Sequence, residues 1–254
     1  MNLISVDNIS KTQGGKPLFD GVSFGVDECD KLALIGINGS GKTTLLNVIA
    51  GREVPDSGRI SRNNDLKISF LAQTPAYDPA HTVLEHVFSG GGTKIELIKR
   101  YELLNSRVKT AYDHALQNEI DALTLKMNEC GAWHFEGQVK SILEKLSIFD
   151  LELKMSELSG GMLKKVSLAA VLIDECDLLI LDEPTNGLDP LMQSRFVALI
   201  RQERDRGKTI LMSSHSFEEV DKTCDQVLII REGRIIHEGS TEMLRRSRTR
   251  TYLL

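Results

Sequence analysis

The chain has 254 residues, a net charge of −5, 41% hydrophobic and 26% charged residues. That length holds one large α/β domain, or one core with an insertion, and excludes two full modules of ~200 residues. The acidic balance excludes nucleic-acid binding driven by bulk charge, so no sequence-specific DNA binding is expected, and no run approaches the ~18–20 apolar residues of a bilayer span.

Residues 1–35 read as strands with a turn at Gly14-Gly15-Lys16-Pro17. The run Lys31-Leu32-Ala33-Leu34-Ile35 is short and nearly all apolar, the pattern of a strand buried on both faces. It enters Gly36-Ile37-Asn38-Gly39-Ser40-Gly41-Lys42-Thr43-Thr44, after which Leu45, Leu46, Ile49 and Ala50 fall at helical spacing and Gly51 marks a stop. Residues 60–72 read as short strands. Across 93–127, Ile95, Ile98, Val108, Tyr112, Leu116, Ile120, Leu123 and Met127 recur mostly at three or four, predicting an amphipathic helix or helical hairpin broken near Asn105-Ser106. Helices are predicted over Gln138–Leu146, Gly161–Ile173, Met192–Arg206 and Phe217–Cys224, and buried strands over Asp177–Asp182 and Thr209–Ser213. Gln226–Arg231 and Arg234–His237 read as a hairpin around Glu232-Gly233. Strands alternating with helices predict an α/β fold with a mainly parallel sheet.

Gly36 to Thr43 matches G-x-x-x-x-G-K-[ST] in full, between a predicted strand and a predicted helix. Glycines let the backbone curl so that successive N–H groups point at phosphate oxygens, and the helix N-terminus adds its positive end. Candidate nucleotide contacts are Gly36, Asn38, Gly39, Ser40, Gly41, Lys42, Thr43 and Thr44. In this reading Lys42 reaches the β- and γ-phosphates and the Thr43 hydroxyl ligates Mg²⁺. The apolar run Leu178–Leu181 ends in Asp182-Glu183, delivering two carboxylates to the sheet edge where α/β proteins bind ligands. Asp182 is assigned to Mg²⁺ and Glu183 to polarising the attacking water.

Leu158-Ser159-Gly160-Gly161-Met162 precedes a helix shortly before that acidic strand. It resembles the signature of ATP-binding cassette (ABC) proteins, and the resemblance covers residues 1–240. It implies a P-loop NTPase core as a single domain, with an N-terminal antiparallel β region, a helical insert at about 80–170 and a basic tail at 241–254. Gln73 resembles the glutamine that senses Mg²⁺ and the attacking water. Ser159, Gly160 and Gly161 resemble the lid that caps the γ-phosphate on an opposite cassette. His215 resembles the histidine that contacts that phosphate. ATP and Mg²⁺ are the implied cofactors, and a second cassette, facing this one head to tail, is the implied partner.

The family pattern is not followed throughout. Gln13 aligns with the aromatic that usually stacks on adenine, and Met162 replaces the glutamine that usually ends the signature. Residues 14–185 resemble a cassette of the soluble F-type proteins that act on ribosomes, through the charged insert, Trp133-His134-Phe135-Glu136 and the signature helix. Residues 187–240 resemble a transporter ATPase subunit, so the chain reads as a mosaic, natural or engineered. Transmembrane permease subunits are the expected partners on the transporter reading, and the ribosome on the other. The basic tail (Arg245, Arg246, Arg248, Arg250) is read as a solvated terminus. Four scattered cysteines and no basic-then-apolar leader predict a cytoplasmic chain with free thiols, and the transporter resemblance implies a peripheral place on the inner membrane face through a partner.

Overall fold

The computed structural model describes residues 1–89, 92–110 and 114–244. The arginine tail, Tyr112 and Gly90-Gly91 lie outside the described residues. Two compact units divide the chain: residues 1–76 with 176–254, and residues 77–175.

The first unit carries both sheets. Strands β1 (Asn2–Gln13), β2 (Lys16–Asp27) and β4 (Ser57–Arg62) form an antiparallel sheet in the order β2-β1-β4. The two-residue turn Gly14-Gly15 has positive φ at both positions (59° and 77°), the geometry that matches the twist of a tight hairpin. A six-stranded sheet runs β5-β6-β7-β3-β8-β9, from β3 (Lys31–Ile35), β5 (Ile68–Leu71), β6 (Leu178–Asp182), β7 (Thr209–Ser214), β8 (Gln226–Arg231) and β9 (Arg234–Ser240). Its first five strands are parallel, and β9 closes the edge antiparallel to β8. All residues of β6 and β7 are buried, as the apolar runs at 178–181 and 210–212 require. Helix α1 (Lys42–Ile49) buries Leu45, Leu46, Val48 and Ile49 in one core with Ile4, Val6, Phe19, Val22 and Leu34. Helices α7 (Pro190–Asp205) and α8 (Phe217–Thr223) complete this unit.

The second unit is helical: α2 (Val83–Val87), α3 (Thr93–Thr110), α4 (His114–Glu129), α5 (Ala132–Lys145) and α6 (Gly160–Ile173). Helices α3 and α4 form the expected hairpin, but α3 runs through Asn105-Ser106 rather than breaking there. The reason is packing: Leu104 and Val108, four apart, both join a cluster with Ile120, Leu123 and Met127. Burying them outweighs the few tenths of a kcal/mol that Asn and Ser cost a helix. Helix α5 begins six residues earlier than the spacing predicts, because Ala132 and Phe135 are buried and Trp133 meets Tyr101 edge to face at 4.9 Å.

Candidate functional site

The nucleotide-loop residues follow the C-terminal end of β3. Gly36 has no room for a side chain: a Cβ there would lie 2.5 Å from Ser40 Oγ and 2.8 Å from the Ile230 carbonyl oxygen on β8. The motif's first glycine is therefore fixed by packing between loop and sheet. Gly41 caps α1 with no side-chain hydrogen bond, and the helix has no acidic residue in its first turn. Its N-terminal N–H groups thus keep their affinity for an anion. Asn38, Gly39 and Thr43 are exposed, Thr44 is half-buried, and Ser40 is buried with an unpartnered hydroxyl.

Lys42 is 4% exposed, and its ammonium is held inside the loop. It donates to the Gly36 and Ile37 carbonyls at 2.8 and 3.1 Å and pairs with Glu183 Oε1 at 3.3 Å. Strands β3 and β6 both neighbour β7, and this brings the two residues together from more than a hundred positions apart. The other oxygen of Glu183 faces His215 Nδ1 at 3.4 Å and Asn186 Nδ2 at 3.5 Å. His215 is 54% exposed, so its ring is open to an incoming ligand.

Glu183 has φ 44°, in the left-handed region that a glutamate rarely adopts. Such a conformation costs on the order of 1–3 kcal/mol, and it persists only where its surroundings enforce it. Ser213, at the end of β7, supplies part of that enforcement. The Glu183 N–H donates to Ser213 Oγ at 3.0 Å, and that hydroxyl donates to Asp182 Oδ1 at 2.6 Å. One buried serine thus orients both carboxylate residues. In the sequence Ser213 carries no signal of this role beyond its place beside Ser214-His215 at the end of a buried strand. Ser213→Ala is expected to cost about 1–3 kcal/mol of stability, because it orphans a buried N–H and a buried carboxylate oxygen. It should also lower ATP turnover more than ATP affinity; thermal melts and steady-state kinetics check both.

Asp182 is fully buried, and its second oxygen Oδ2 has no partner. Gln73 is exposed two residues beyond the end of β5, next to the end of β6. Ser159, Gly160 and Gly161 belong to the second unit. There Ser159 caps α6 by accepting the Met162 N–H at 3.3 Å, and both glycines are exposed with open space where a Cβ would be. Gln13 is exposed at the end of β1, beside the hairpin turn.

A curled glycine loop, a buried lysine and a strand-end acid pair inside a parallel sheet define a P-loop nucleotide hydrolase. The ABC transporter family model matches residues 19–186, and the chain belongs to that family as an ABC ATPase. The Bacillus subtilis protein YfmR, described as an uncharacterized ABC transporter ATP-binding protein, is 40% identical over 190 residues. That match covers 74% of this chain but 30% of YfmR, so the chain spans less than a third of that relative's length. Nod factor export ATP-binding protein I of Burkholderia lata is 32% identical over 252 residues, covering 95% of this chain and 72% of that one. A solved nucleotide-free ATP-binding cassette from an ABC transporter superposes with a TM-score of 0.68 at 26% identity, covering 98% and 96% of the two chains. No described helix is long and apolar enough to cross a membrane.

Proposed function

We propose that this cassette binds ATP with Mg²⁺, pairs head to tail with a second cassette around the nucleotide, and hydrolyses it as the motor subunit of a transporter. The observation that carries the reading is the convergence of Lys42, Glu183 and His215, from three loops, on one point at the C-terminal edge of the sheet. Curled amides of residues 36–44 hold the phosphates, and Lys42 leaves its carbonyl partners to neutralise their charge. Glu183 accepts the proton of the attacking water, with His215 alongside to hold the γ-phosphate.

The residues fit a magnesium ion. Asp182 offers a buried, unpartnered oxygen, and Thr43 an exposed hydroxyl at the start of α1. Among the described residues there is no group of three or more His, Cys, Asp or Glu able to hold a metal, so most ligands would come from the nucleotide and water. When bound, the ion would neutralise phosphate charge, with Gln73 as a further oxygen donor. In the head-to-tail pair, the exposed Ser159-Gly160-Gly161 turn is the lid over the partner's nucleotide, an anion site at a helix start.

A second reading, an F-type factor acting on the ribosome, is favoured by the α3–α4 hairpin, whose surface carries charged residues such as Arg100, Glu119 and Lys126. Fractionation separates the two. Transport predicts that the protein pellets with membranes holding permease subunits, whereas the alternative predicts co-sedimentation with ribosomes at low salt. Both require MgATP hydrolysis and an ATP-dependent dimer on size exclusion, so a purified protein inert toward ATP would overturn both.

A further inference from the structure

Helix α8 carries a half-buried carboxylate that the chemistry above does not use. Glu219 lies one helical turn beyond His215. Burial pushes its carboxyl above the usual range, while the Ser214 and Thr185 hydroxyls beside it pull the other way. Its Oε1 is buried with no hydrogen bond. An apolar side chain would avoid that desolvation, so packing alone does not account for an acid here.

The geometry accounts for it. Ser214 Oγ donates to Glu219 Oε2 at 2.7 Å and itself accepts the Ser216 N–H at 3.0 Å. The residues on either side of His215 are thereby tied through one hydroxyl. Without the carboxylate, the Ser214 proton is left with the Ser216 carbonyl, a longer contact at 3.4 Å. Thr185, whose hydroxyl also acts on this carboxylate, lies two residues past Glu183. Glu219 therefore neighbours both the turn that carries His215 and the segment that carries the water-polarising acid. The charged groups facing it are Glu183 and His215, and Glu218 and Lys222 on its own helix pair with each other.

We propose that Glu219 is a positioning residue for ATP hydrolysis: through the Ser214 hydroxyl and Thr185 it fixes the backbone of His215 relative to Glu183. This rests on the hydrolytic reading of the site. It predicts that the group needed is a hydrogen-bond acceptor of this shape rather than a charge, so glutamine should substitute and alanine should not.

The test compares Glu219→Gln, Glu219→Ala and Ser214→Ala in the full chain, each also combined with His215→Ala. Glu219→Ala and Ser214→Ala should lower kcat ~10-fold or more while KM for ATP stays within about 2-fold, since misplacing a reacting group acts on the transition state more than on binding. Glu219→Gln should keep at least about half of the parental kcat. In the His215→Ala background the same changes should cost almost nothing further, because residues acting as a unit are not additive. A readout independent of turnover is the NMR signal of the His215 ring without nucleotide. It should shift or broaden in Glu219→Ala and return to the parental position in Glu219→Gln. Equal losses of kcat in both backgrounds, or an unmoved ring signal in Glu219→Ala, would overturn the proposal. If Glu219→Ala does not fold, Ser214→Ala carries the same comparison. A parent protein that hydrolyses no ATP, with the ring signal nonetheless responding to Glu219, would sink the hydrolytic reading while leaving the positioning geometry intact.

Discussion

Glu183→Gln should leave ATP bound and almost unhydrolysed. Glutamine keeps the shape and the hydrogen-bonding reach of the side chain but cannot accept the proton of the attacking water. A positioned general base contributes ~10²–10⁴-fold, so turnover should fall by at least about two orders of magnitude. Affinity should not fall with it. Glu183 holds Lys42 at 3.3 Å, inside a loop whose carbonyls occupy the rest of the ammonium. Losing the negative charge weakens that grip, so the nucleotide has less to displace and affinity should stay level or rise. Size exclusion with MgATP should then show a long-lived dimer, and single-turnover assays should show unhydrolysed nucleotide within it. Parental turnover in this variant would refute the assignment of the base.

Lys42→Ala should fail at the preceding step. A hydrogen bond to a charged group contributes about 1.5–3 kcal/mol, and Lys42 would make such bonds to two phosphates. A loss near 3 kcal/mol is roughly a hundredfold in affinity. The variant also leaves the Glu183 carboxylate, nearly buried, without its cation, so some destabilisation is expected. Titration with a fluorescent ATP analogue, together with a melt to confirm folding, separates the two effects. The double variant Lys42→Ala with Glu183→Gln should recover melting temperature but not affinity. Unchanged ATP binding by folded Lys42→Ala would contradict the phosphate-loop assignment.

What could be read from the residues was whatever is local. Residues 32–35 and 178–181 are unbroken apolar runs because both faces of a central parallel strand are covered, and that pattern survives in one sequence. The loop motif was legible because its glycines, its lysine and the flanking strand and helix are contiguous. The order β5-β6-β7-β3-β8 was not, since nothing in β3 says that its neighbours lie about 180 and 195 residues further on. For the same reason the acid pair was found but its serine was not: Ser213 meets Asp182 only because β6 and β7 are adjacent in register. The misplaced helix break has a different cause. Asn105 and Ser106 are poor helix formers, but the contacts of Leu104 and Val108 with α4 decide the outcome, and those are tertiary.

The left-handed backbone at Glu183 has a bearing on how this protein could change over generations. Glycine or asparagine at 183 would relax the main chain, but either would take the carboxylate away from the buried Lys42 ammonium, so the relief of strain is offset by an uncompensated buried charge. The strained acid and its lysine are therefore tied together: relaxing position 183 without loss of stability needs a second change at position 42. A lineage that stopped needing the site would be expected to lose the two residues together rather than the glutamate alone.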